Sequence, residues 1–123
     1  MSETDAIGAY VEGFRQRQRA RAEASARRTD RLRARARQAA QRLVTQFGVT
    51  RVWLFGSLAW GSAHPDSDVD LLVEGLPAAV WSEATGVVEA IVDGAVDLVR
   101  VEEAASSLSE RVRREGILLY GQS

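Results

Sequence analysis

The sequence predicts an α/β (α+β) fold preceded by a long N-terminal helical extension. Three observations carry this. From about Ala6 to Phe47 there is no proline, and arginine, alanine and glutamine dominate, a composition that favours helix. Three brief apolar runs follow, Val52-Trp53-Leu54-Phe55, Val69 to Val73 and Ala95 to Val101, each short and rich in β-branched or aromatic residues, which is the signature of strands. Between the second and third runs, Pro77 to Ile91 places apolar residues at helical spacing.

Taken in order, Ile7, Tyr10, Val11 and Phe14 fall at i, i+3, i+4 and i+7, one apolar face of a helix. Gly8 and Gly13 weaken that helix. Arg15 to Arg28 holds no large apolar residue, so it reads either as a solvated helix or as a connector, with Thr29 or Ser25 available to cap a second helix if the first breaks. Periodicity returns at Leu32, Ala36, Ala39, Leu43 and Phe47, a face suited to packing on a sheet, and Gly48 is the expected stop. The expected division is therefore 1–47, an arginine-rich helical extension, and 48–123, the domain proper.

Beyond the second strand, Val80, Ala84, Val87, Val88 and Ile91 form an inward stripe with Trp81 beside it, and Asp93-Gly94 signals a turn. Glu102 to Glu115 reads as a polar helix turning Leu108 and Val112 inward. Ile117-Leu118-Leu119-Tyr120 is a final strand or a buried tail.

Charge is split along the chain. Residues 1–50 hold eleven arginines against five acids, and residues 51–123 hold five arginines against twelve acids, so a net charge of -1 conceals a basic first part and an acidic second. A solvated helix face accounts for such a run most simply; docking to an acidic partner or a neighbouring subunit, and nucleic-acid contact, are the functional alternatives. Direct nucleic-acid binding is not expected, because no aromatic side chain for base stacking lies between Arg15 and Arg42. With no cysteine there is no disulfide or thiolate site, and with an acidic start and no long apolar run neither a secretory segment nor a membrane span is expected. A cytoplasmic location fits. At 123 residues the chain has the size of one domain, without room for a second, acceptor-binding domain.

The chemistry concentrates between Arg51 and Glu74. The first strand runs into Gly56-Ser57, and the second opens with Asp68-Val69-Asp70. Side chains two apart on a strand share a face, so Asp68 and Asp70 sit together, where they repel unless a cation lies between them. Hard oxygen ligands suit magnesium or manganese, with water and substrate phosphate completing the shell. Glycine lets backbone approach a phosphate, and the serine hydroxyl can hold a phosphate oxygen. Asp97 interrupts the third strand; it either joins the other carboxylates, or faces solvent at an edge, or pairs with Arg100. Arg113 and Arg114 neutralise a helix C-terminus or reach a phosphate. His64, in the loop with Pro65, Asp66 and Ser67, is assigned no role.

Gly56-Ser57 followed by Asp68-Val69-Asp70 resembles the signature of the DNA polymerase β-like nucleotidyltransferase superfamily, and most closely its minimal nucleotidyltransferases, encoded beside HEPN-domain toxins. The likeness runs from about Val49 to Tyr120. It implies a small mixed β-sheet packed against helices, with the active site along one sheet edge. It further implies ATP as substrate and two metal ions, magnesium with manganese as the substitute, held by Asp68, Asp70 and Asp97, with Gly56 and Ser57 on the phosphates. The implied reaction moves AMP from ATP to a hydroxyl, a tyrosine of a HEPN-type toxin, making this chain the antitoxin. Two alternatives stay open: an antitoxin that neutralises by binding alone, and a stand-alone transferase acting on a small molecule. A homo-oligomer is also open. Trp60 departs from the pattern, standing where many relatives carry an arginine.

Overall fold

A computed structural model describes residues 3–61 and 68–122, with side chains from residue 5 onward. The loop stretch His64 to Ser67 considered above lies outside the described residues.

One unbroken helix, α1 (Glu3–Phe47), occupies the first third of the chain. No second helix begins at Ser25 or Thr29: the alanine, arginine and glutamine content outweighs the roughly 1 kcal/mol that each of Gly8 and Gly13 costs relative to alanine. Gly48 ends the helix in the left-handed region (φ 74°), and its N–H donates to the Val44 carbonyl at 3.1 Å, satisfying one of the last orphan acceptors. The connector alternative for Arg15 to Arg28 is thereby removed.

Strands β1 (Arg51–Phe55) and β2 (Val69–Glu74) pair antiparallel, β3 (Val96–Arg100) joins β2 in parallel, and β4 (Ile117–Tyr120) pairs antiparallel with β1. The spatial order is β3-β2-β1-β4, so the sheet is mixed, as the family resemblance implies. A parallel neighbour requires a crossover. That crossover is a 3-10 turn (Ala78–Val80) leading into α3 (Trp81–Val92), which ends at Asp93 in the left-handed conformation. The one-turn helix α2 (Ser57–Trp60) follows β1, and α4 (Ser106–Glu115) precedes β4.

Strand alternation divides the core in two. Val52 and Leu54 from β1, Val69, Leu71 and Val73 from β2, and Leu98 from β3 face α1 and α3, whose Ala36, Ala39, Ala40, Leu43, Ala84, Val88 and Val92 are buried against them. Trp53, Phe55 and Leu72 point the other way, onto Val112 and the half-buried Leu108 of α4. Alanines in the last third of α1 let that helix lie close to the sheet, so the segment that begins as an extension ends as core. Leu43 is fully buried there. Leu43→Ala is expected to destabilise the fold by roughly 2–5 kcal/mol, read as a lower denaturant midpoint at unchanged slope.

The helix expected from Glu102 starts four residues later. Glu102 instead accepts from the Gly75 N–H at 2.8 Å, and Glu103 pairs with Arg100, so these side chains hold a turn against the β2 and β3 ends. No helix among the described residues is long and apolar enough to cross a membrane.

Candidate active site

The antiparallel pairing of β1 and β2 explains why the two halves of the motif meet. Phe55, the last residue of β1, lies opposite Asp70, so the turn that follows β1 and the start of β2 occupy the same end of the sheet. On its other side Asp70 is in register with Asp97 of β3. Asp70 and Asp97 share the face that carries Phe55 and Leu72, and α4 covers that face only in part. Asp68 and Asp97 are exposed and Asp70 is half-buried. Three carboxylates therefore line one end of one face.

Their electrostatics follow from that placement. Burial, then the charge of Asp97, then the charge of Asp68, push the Asp70 carboxyl up from 3.8 to about 6. No cation among the described residues offsets this. Arg100, the alternative partner for Asp97, donates to the Leu76 carbonyl at 2.6 Å and pairs with Glu103. Asp97 does lie on an edge strand and faces solvent, as one of its alternatives had it, but in register with a second carboxylate. Among the described residues no three acidic or histidine side chains close around one point tightly enough to cage an ion unaided. The row is instead an open face of hard oxygen donors carrying uncompensated negative charge. A divalent ion that takes its remaining ligands from water and phosphate fits such a face.

Gly56 is fixed by the same carboxylate. Its backbone (φ 76°, ψ -160°) is in a region that essentially only glycine occupies. A Cβ at this position would lie 3.1 Å from Asp70 Cγ and would overlap Oδ2. The turn and the aspartate are thus built against each other. The Gly56 carbonyl accepts from the Ala59 and Trp60 N–H groups at 3.0 and 2.9 Å, which closes α2 and leaves Ser57 exposed at its start.

Two arginines near this end give no motif-level signal in the sequence. Arg33 of α1 donates from Nε to the Leu58 carbonyl at 2.9 Å, tying the long helix to the turn after Gly56-Ser57. Arg111 of α4 places its guanidinium 4.0 Å from the centroid of Trp60, while Trp60 leans on Phe55 at 6.4 Å. Arg33 is hidden in a run of like residues, and Arg111 reads from sequence only as the i,i+4 partner of Glu115, to which it donates at 2.8 Å. Trp60 thus holds a cation from α4 beside the turn that follows β1. Arg113, by contrast, lies 3.8 Å from Glu74 at the opposite end of β2, away from the carboxylates.

A profile of the polymerase beta nucleotidyltransferase family matches residues 37–123. The chain belongs to that family. Protein adenylyltransferase MntA of Thermococcus cleftensis is 38% identical over 73 residues, which span 57% of this chain and 74% of its own. A solved structure assigned as a minimal nucleotidyltransferase is 38% identical, with a TM-score of 0.62 over 72% of this chain and 93% of that one. A crystal structure of a toxin-antitoxin with AMP-PNP contains a chain 26% identical, with a TM-score of 0.62 over 71% and 74% of the two chains. The nucleotidyltransferase described here is thus of the minimal kind. Its profile match begins inside α1, so most of that helix lies outside the shared domain.

Proposed function

We propose that this nucleotidyltransferase transfers AMP from ATP to a hydroxyl of a partner protein, a tyrosine of a HEPN-type toxin, and serves in the cytoplasm as that toxin's antitoxin. The observation that carries the reading is the seating of Gly56 against Asp70, in register with Asp97. It sets a phosphate-gripping step beside a carboxylate row, in a chain related to a protein adenylyltransferase and to a toxin-antitoxin chain crystallised with AMP-PNP.

Gly56 and Ser57 hold the β and γ phosphates, the glycine by admitting close approach and the serine through its hydroxyl. Magnesium, or manganese in its place, held by Asp68, Asp70 and Asp97, would neutralise the triphosphate and acidify the attacking hydroxyl. The hydroxyl oxygen bonds to the α phosphorus, its proton passes to a carboxylate of the row, with Asp97 in that role, and the bond to the bridging oxygen breaks as pyrophosphate leaves. Exposure of the row suits an acceptor carried on another protein, which must approach from solvent.

A second reading, neutralisation by binding alone, draws on Trp60, which displaces the arginine of the pattern. Intact-mass spectrometry of the neighbouring gene's toxin, incubated with this chain, ATP and magnesium, separates the two. Increments of one or more AMP are expected with the wild type and none with the Asp68→Asn, Asp70→Asn double variant. A stable complex without any increment would leave binding alone as the function.

A further inference from the structure

Of the seven exposed large hydrophobic residues in the described structure, four stand on one face near the tip of α1: Ile7 (64% exposed), Tyr10 (71%), Val11 (38%) and Phe14 (47%). From Asp5 to Glu23 the helix is exposed apart from Gly13, so the Ile7, Tyr10, Val11 and Phe14 face is left uncovered by the rest of the described residues. At 1.5 Å per residue that stretch projects by about 28 Å. A solvated helix of this length that contains two glycines gains little stability by itself.

The same face continues toward the domain with small residues. Ala22, Ser25, Ala26 and the buried Thr29 line a groove of about 340 Å³ together with Asp30, Arg33 and, from the end of α2, Gly61. The spacing of large and small residues matches in a single antiparallel register. With a two-fold axis at Gln18, Phe14 of one helix falls opposite Ala22 of another, Val11 opposite Ser25, Tyr10 opposite Ala26 and Ile7 opposite Thr29. Phe14, Val11 and Tyr10 thus meet small residues that are exposed or half-buried, and Ile7 meets the end of the groove at Thr29, which is already buried in its own chain.

Charge selects the same orientation. Residues 3–14 hold three acids and no arginine, whereas residues 15–33 hold eight arginines and two acids. Parallel pairing would stack acid on acid and arginine on arginine along the whole length, a destabilising arrangement. Antiparallel pairing sets the acidic tip against Arg27, Arg28 and Arg31 and leaves only Arg15, Arg17, Arg19 and Arg21 crowded about the axis.

We infer that α1 is a dimerisation arm, and that its occupant is a second copy of this chain paired antiparallel through residues 5–31. This inference does not depend on the transfer reaction, because the arm lies outside the carboxylate row and mostly outside the family match.

Sedimentation of the full chain at tens of micromolar tests it. The wild type is expected at twice the chain mass, and Ile7→Ser, Phe14→Ser at the monomer mass with an unchanged circular dichroism spectrum in the sheet region. The register has its own readout, since the chain contains no cysteine. A single Gln18→Cys sits on the proposed axis and should cross-link to its copy on mild oxidation, whereas Ile7→Cys alone should not. A monomeric wild type overturns the inference, as does a dimer that cross-links through Ile7→Cys and not through Gln18→Cys. A wild type that is monomeric alone, and loses its toxin complex in the Ile7→Ser, Phe14→Ser variant, would assign the face to that partner instead.

Discussion

Asp70→Asn is expected to abolish AMP transfer, by at least about a thousandfold, and at the same time to make the metal-free protein more stable. Loss of transfer follows if the carboxylate is a ligand of the ion that carries the charge of the reaction. The gain in stability follows from the apo electrostatics. Asp70 is half-buried, lies in register with Asp97 and feels Asp68, so its carboxyl is pushed up from 3.8 to about 6. A folded-state pKa above the unfolded value means that folding prefers the protonated form. The penalty is therefore absent below about pH 4 and complete above about pH 6, as the charge appears. Discounted for solvent at a half-exposed site, it amounts to about 1 kcal/mol, or roughly 3–6 °C in Tm. Thermal melts in EDTA are the measurement. Wild type and variant should melt together near pH 4, and the variant should melt higher by pH 7. Equal melting temperatures at both pH values would show that the carboxylate row carries no net repulsion. A second arm uses magnesium, which should raise the wild-type Tm and leave the variant where it was.

The second large effect is expected at Gly56. Alanine there meets two obstacles at once: a backbone conformation (φ 76°, ψ -160°) that side chains oppose, and the Asp70 carboxylate, into which the new methyl would project. Strain of this kind costs roughly 1–3 kcal/mol, and relieving it moves either the turn or the aspartate. Both belong to the proposed site, and a displacement of about 1 Å in a catalytic arrangement costs on the order of a hundredfold in rate. Gly56→Ala should thus remain folded, with a melting temperature lowered by several degrees, and lose transfer by about a hundredfold or more. The counterpart is Gly86→Ala in α3, where nothing lies within 4 Å of the added methyl. That change should be neutral or slightly stabilising, since alanine is the better helix former. If the two alanine variants behave alike, the tight fit of Gly56 against Asp70 is not what the turn requires.

Most of the fold is legible in the residues because the signals are local. Proline-free, alanine-rich composition marks α1, Gly48 marks its end, and the brief apolar runs mark the strands. The motif residues are legible for the same reason: Gly56, Ser57, Asp68 and Asp70 are close in sequence and bracket a single hairpin. Asp97 is less so. Whether it joins the row depends on β3 lying parallel to β2 in a particular register, which a pairing set by α3 decides. Arg33 and Arg111 were not legible at all, since a donor to the Leu58 carbonyl and a cation on Trp60 come from helices far away in the chain. α4 starts later than its composition suggests because Glu102 and Glu103, good helix formers, are drawn to Gly75 and Arg100.

The sequence by itself determined most of the helix and strand segments, leaving open Arg15 to Arg28 and Ile117 to Tyr120, and which carboxylates stand two apart, since these are matters of local periodicity. It left two things to the tertiary structure. One is the closeness of Asp70 to Asp97 and to the Gly56 backbone, which arises only when three strands lie side by side at spacings of about 4.8 Å. The other is the split character of α1, whose alanines are buried from Ala36 onward while Ile7, Tyr10 and Phe14 stay in solvent. Apolar periodicity says that a face wants cover; only the packed structure says which part of that face the chain itself has covered.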